Sequence, residues 1–237
     1  MARVFGGSTS NYFSATGRKY EIPANFSVVW RAKTSSDTDQ AVMGRRDSSG
    51  SGGFVVKRDS AFNSVLVSLF GVADIFQATG TNPWPADGAY HSFIVTKSST
   101  TWTLYVDSTT AVGTASSSYT TTTGPDLYVG AWNNAAGAGV TDPFNGSLYD
   151  VALFPSVLGS TDRTNFLSGT APSGLTAAGT DHYWPLDNAA AGNESDSFGA
   201  ATLTEVGVVG YESIAAAPVI TGPSGAAGAG TSTANIA

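Results

Sequence analysis

The chain has 237 residues, a formal charge of −7, only 12% charged residues and no cysteine. These values exclude disulfide staples and thiolate metal sites, and they argue against a nucleic-acid partner, whose phosphates call for clustered Lys and Arg. The length suits one large domain, and the scarcity of Lys and Glu, both good helix formers, points to strands and turns.

The N-terminal MARVFGGSTSNYFSA has no apolar core of the kind a secretory leader carries. No later stretch approaches the roughly 20 apolar residues of a membrane span, so no membrane partner is expected. The first long strand is FSVVWRAK, with Phe26, Val28 and Trp30 on one face and Ser27, Arg31 and Lys33 across from them or at the rim. That pattern predicts a sheet with one wet side. After the turn SSDTD, the runs GFVVKRD and SVLVSLF flank a polar turn at Ser60 and Asn63 and predict a hairpin. In RRDSSGSGG the glycines allow the positive φ that a chain reversal needs.

From residue 87 the chain reads DGAYHSFIVTK, TWTLYVD, LYVGAW and PFNGSLYDVALF. Trp102, Leu104 and Val106 alternate with Thr103, Tyr105 and Asp107, the period of a half-buried antiparallel strand. In all, about ten to twelve strands in two packed sheets are expected. FPSVLGSTDRTNFLSG is similar to a short helical turn that closes domains of this kind, with Ser160 or Thr161 able to cap it. The segment 182–208 is too short for a second domain and is expected to complete the first.

Residues 214–237 contain no aromatic residue and are almost entirely Ala, Gly, Ser, Thr and Pro. The expected organisation is a domain over 1–213 and a flexible arm over 214–237, in which Val219 and Ile220 dock onto a partner. GPSGAAGAG contains Gly-initiated triplets, too few to hold a collagen helix.

The stretch 87–154 resembles the laminin-G-like, or concanavalin A-like, jelly-roll family. The resemblance rests on Asp87 and Gly88 leading to Tyr90 and His91 ahead of a strand, on Leu104-Tyr105-Val106-Asp107, and on the closing strand after Asn145-Gly146. It implies an all-β, two-sheet antiparallel jelly-roll sandwich, with His91 in the place of the family's structural histidine. Two departures stand out. Gly6 occupies a position that is often acidic in the opening strand, and Tyr149 replaces one member of an acidic pair, leaving Asp150.

Glucanases of this fold use a Glu-x-Asp-x-x-Glu strand, which throws its carboxylates onto one face. The four glutamates here, Glu21, Glu194, Glu205 and Glu212, lack that spacing, and neither His91 nor His182 accompanies a Gly-x-Ser-x-Gly elbow. A non-enzyme is expected. Related lectin folds hold calcium through loop aspartates, which makes Asp37, Asp39 and Asp142 candidate calcium ligands, with a solvated turn as the alternative. No other cofactor is expected. Sugar binding would use exposed aromatic rings beside amides: Trp132 with Asn133 and Asn134, and Trp84 within NPWP, the alternative being rings that anchor their own loops.

Two functions follow from the resemblance. One is a non-enzymatic virion structural protein of a tailed bacteriophage, decorating the head or placed in a tail fibre or baseplate, with weak adhesion to a host-surface glycan. Its partners would be capsid or tail proteins or further copies of itself. The other is a carbohydrate-binding module of a bacterial surface or secreted protein.

Overall fold

The computed structural model describes residues 1–19, 22–46, 53–70, 72–76, 84–120, 126–133, 139–177, 182–199 and 201–214. The first half of the chain supplies β1 (Ala2–Gly6), β2 (Tyr12–Lys19), β3 (Asn25–Lys33), β4 (Gln40–Arg46), β5 (Gly53–Asp59), β6 (Ser64–Leu69), β7 (Ala73–Ile75) and β8 (Tyr90–Ser98). Next come β9 (Thr101–Val106), β10 (Gly113–Ser116), β11 (Asp126–Val129), β12 (Trp132–Asn133), β13 (Val140–Thr141) and β14 (Asn145–Phe154). Helix α1 (Ser160–Leu167) precedes β15 (His182–Trp184), β16 (Thr204–Val206) and β17 (Gly210–Glu212).

These strands build two antiparallel sheets, ordered β10-β9-β8-β3-β14-β1-β17 and β16-β2-β11-β4-β5-β6-β7, with β15 added to β14 and β12-β13 forming a separate ribbon. The protein is therefore a jelly-roll-like all-β sandwich. Alternation along the strands turns Trp30, Phe93, Val95 and Leu104 inward from the first sheet and Phe13, Phe54, Val56 and Val129 inward from the second. At the centre the Trp30 and Phe93 rings stack with centroids 4.9 Å apart, and Trp84 lies 4.6 Å from Phe93.

The expected β5-β6 hairpin forms, in register from Phe54 opposite Leu69 to Asp59 opposite Ser64. From residue 182 onward, β15, β16 and β17 pair with β14, β2 and β1 and so extend both sheets.

Three expectations need correction. The described residues hold seventeen strands rather than ten to twelve, because pieces of two to four residues form the edge strands β7, β10, β16 and β17, the β12-β13 ribbon, and β11 and β15. The wet face predicted for β3 is covered: Val29 joins Ile94, Ala152, Phe154, Phe166, Leu167 and Tyr183 in a second apolar cluster beneath α1. Ser27 and Arg31 on that face are buried too. Finally, Gly159 is the helix N-cap, with no side-chain cap, and Ser160 is already the first helical residue.

Candidate binding site

Three of the predicted ligand residues, Trp132, Asp39 and Asp142, meet beside β4 and β5 of the second sheet. Gly44 makes this possible, because a Cβ at that position would lie only 2.6 Å from Trp132 Cβ and 2.9 Å from Val55 Cγ2. With no side chain on β4 there, the β12-β13 ribbon lays Trp132 across the outer face of β4 and β5. The indole stacks on Phe70 at 4.9 Å between centroids, and the Arg46 guanidinium lies 4.9 Å from the Phe70 ring on its own account. Trp132 remains half-buried.

Its Nε1 donates to Asp142 Oδ2 at 3.0 Å, and that oxygen also accepts from Lys57 Nζ at 3.0 Å. The same ammonium donates to Asp39 Oδ2 at 2.8 Å, while Asp39 Oδ1 accepts from the Ser60 amide at 2.8 Å and its hydroxyl at 2.7 Å. Burial pushes the Asp39 carboxyl up, but hydrogen bonds from Lys57 and Ser60 outweigh it and bring the pKa down to about 2. For Lys57, burial lowers the pKa, and the hydrogen bonds to Asp39 and Asp142 reverse that into a net rise. Both partners are thus held in their charged forms.

Beside this cluster opens a cleft of about 470 Å³, lined by Ser36, Thr38, Asp39, Thr141, Asp142 and Asn145 among others. Its wall is braced by the buried Gln40, whose Nε2 donates to Ser36 O at 2.8 Å and whose Oε1 accepts the Asn145 amide at 2.9 Å. The arrangement offers hydroxyls, an amide and carboxylates next to an aromatic ring.

Several sequence expectations resolve here. Asp37 and Asp39 do not converge: Asp37 turns to Arg58 at 2.7 Å and Asp39 to Lys57, since neighbouring cations on β5 claim them separately. Among the described residues no group of three or more His, Asp or Glu side chains could hold a metal ion. Asn133 uses its side chain to clamp the Arg46 backbone, accepting at 2.7 Å and donating at 2.9 Å. Asn134, Val219 and Ile220 lie outside the described residues. Trp84 is 0% exposed and packed between Phe93 and Phe144, so it presents no ring face to a ligand.

Sequence reasoning missed Lys57, Phe70 and Gly44. Lys57 had a signal, being a lone cation in phase with Val55 on a strand whose other face carries Phe54 and Val56. Gly44 had none, because its role depends on a ribbon some ninety residues later in the chain. The described glutamates are structural: Glu194 and Glu205 flank buried Arg3 at 2.5 and 3.9 Å, and Glu212 pairs with Lys33 at 2.6 Å.

The model of the concanavalin A-like lectin/glucanases superfamily matches residues 6–162. This chain belongs to that superfamily. A comparison with curated proteins gave no significant match. Among solved structures, a native heptameric SAP-like pentraxin from Limulus polyphemus is similar with TM-score 0.60 and 12% identity, over 88% of this chain and 94% of that one. A "putative carbohydrate binding protein" from Bacteroides ovatus gives 0.59 and 13%, over 88% and 58%. Domains LG4-5 of the mouse laminin alpha1 chain give 0.52 and 18%, over 64% of this chain and 40% of that one. At these identities the likeness establishes the fold, and the chain spans less than two thirds of the laminin and Bacteroides structures.

Proposed function

We propose that this protein is a non-catalytic binding domain that takes a carbohydrate in the cleft beside Trp132. The observation that carries the reading is the Trp132–Asp142–Lys57–Asp39 network at the cleft, which sets a half-buried indole next to fixed acceptors and hydroxyl groups. Sugars need both, since their C–H faces pack against aromatic ring faces while their hydroxyls need donors and acceptors. The name of the Bacteroides neighbour agrees with this class. The glutamates lack the spacing of the glucanase strand, which supports the non-catalytic reading, and the Asp150 carboxylate is committed to Arg31 and Tyr183.

A glycan array with the purified protein should return bound glycans, and Trp132→Ala should abolish them while circular dichroism stays unchanged. Binding that survives Trp132→Ala would move the site elsewhere.

The setting we propose, from the sequence resemblance, is display on a bacteriophage particle, with head decoration ahead of tail fibre or baseplate and with residues 214–237 as the attachment arm, of which Ile214 packs against the core. Mass spectrometry of purified virions should then find the chain, and deleting the arm should remove it from particles. Occurrence as a module of a bacterial surface or secreted protein, with no virion copies, would replace that setting without touching the glycan site.

A further inference from the structure

The carboxylates that the sequence offers to calcium already have a cation. Three of the four carboxylate oxygens of Asp39 and Asp142 accept close hydrogen bonds from the protein's own donors. Asp39 Oδ1 takes the Ser60 amide and hydroxyl at 2.8 and 2.7 Å, and Asp39 Oδ2 takes Lys57 Nζ at 2.8 Å. Asp142 Oδ2 takes Lys57 Nζ and Trp132 Nε1, both at 3.0 Å. Calcium needs roughly six to eight oxygens with lone pairs turned toward it. Here the point on which the two carboxylates converge is filled by an ammonium, and a dication beside it would meet a like charge. The residues present do not fit the metal.

We propose that Lys57 is the built-in cation of this site: a positioning residue that fixes Asp39 and Asp142 where a metal would otherwise be needed, so that ligand binding is independent of divalent cations. It follows that the ligand is an uncharged polyhydroxylated molecule. One ammonium between two carboxylates leaves a net negative site, which disfavours anionic sugars. Asp142 Oδ1, whose contact is a long one from Thr141 Oγ1 at 3.4 Å, keeps the capacity to accept a ligand hydroxyl. The ligand class rests on the glycan reading above, whereas the role of Lys57 stands on geometry alone.

The test uses the full chain. Wild-type thermal unfolding should be the same, within about 1 °C, in EDTA and in excess calcium chloride. Lys57→Met leaves two carboxylates facing each other and should melt roughly 3–6 °C lower. Calcium should restore part of that loss, and it should do nothing for the neutral combination Lys57→Met, Asp39→Asn, Asp142→Asn. If Lys57→Met fails to fold, Lys57→Gln carries the same contrast. A wild-type melting temperature that rises with calcium overturns the proposal, as does a folded Lys57→Met that ignores calcium. On the glycan array, binding of neutral glycans retained in EDTA supports it, and binding lost in EDTA or restricted to anionic glycans overturns it. An array with no bound glycan overturns the carbohydrate reading, and the melting experiments then decide the role of Lys57.

Discussion

Asp150 illustrates how one side chain can hold two layers together. It has a φ of 53°, a left-handed conformation that Asp and Asn tolerate better than most residues. That turn in β14 directs the carboxylate to Arg31 and to Tyr183 Oη, the latter at 2.6 Å. Arg31 also donates to the carbonyls of Phe166 at 2.5 Å and Thr170 at 3.0 Å, at the end of the helix that covers the sheet. Asp150→Asn keeps the backbone preference and removes only the charge, leaving a buried guanidinium without its carboxylate. We expect it to cost about 3–5 kcal/mol in urea unfolding. A loss well below 1 kcal/mol would show that the carbonyls alone satisfy Arg31. His91 provides a pH-dependent counterpart. Its Nδ1 meets Asp107 at 2.6 Å and its Nε2 meets Asp87 at 3.1 Å, and the hydrogen bond to Asp107, helped by that to Asp87, raises the imidazole pKa against burial. A raised folded value contributes stability that is fully present below the ordinary pKa of 6.5 and is lost as pH rises through the folded value. The stability gap between wild type and His91→Asn should therefore be wider at about pH 5 than at about pH 9. An equal gap at both would mean that the imidazole stays neutral between its aspartates.

At the scale of elements, the strands were readable where alternation and turn chemistry were local. The β5-β6 hairpin needed only GFVVKRD, SVLVSLF and the turn between them. The covered face of β3 was not readable, because an eight-residue helix with no side-chain cap is too short to be stable alone and is held by Phe166, Leu167 and the Arg31 bonds. Whether Val29 and Ser27 face water depends on where α1 and β15 land, which no pattern within β3 records. The site was readable in the same partial way. Trp132, Asp39 and Asp142 were separate signals in the sequence, and only the ribbon's approach over Gly44 joins them. Gly44→Ala tests that approach directly, since its new Cβ must displace Trp132 or Val55. We expect a folded protein whose tryptophan emission shifts to longer wavelength and whose glycan binding falls at least tenfold, about 1.4 kcal/mol. Unchanged emission and binding would show that the ribbon has room to move without leaving the sheet.

For the whole molecule, the question is how much chain makes one stable sandwich. The superfamily match ends at residue 162, yet both sheets take strands from beyond it. Trp184, Leu186, Leu203 and Val209 in that later segment are all 2% exposed or less and belong to the central core. At about 1.5–3 kcal/mol for each large apolar side chain, their burial is comparable to the 5–15 kcal/mol net stability of a typical domain. Electrostatics points the same way. Arg3, 0% exposed on β1, finds its carboxylates only at Glu194 and Glu205 among the described residues, so losing them strands a buried charge. A chain ending at residue 169 should therefore fail to give a cooperative melt and should expose the edges of β1, β2 and β14 to aggregation. A chain ending at Ile214, which still packs against the core, should melt within about 1 °C of the full protein. Thermal scans of the two truncations, followed by circular dichroism, separate the cases. A cooperative melt from the shorter chain would mean that the matched segment is the folding unit and that the last three strands are accessory.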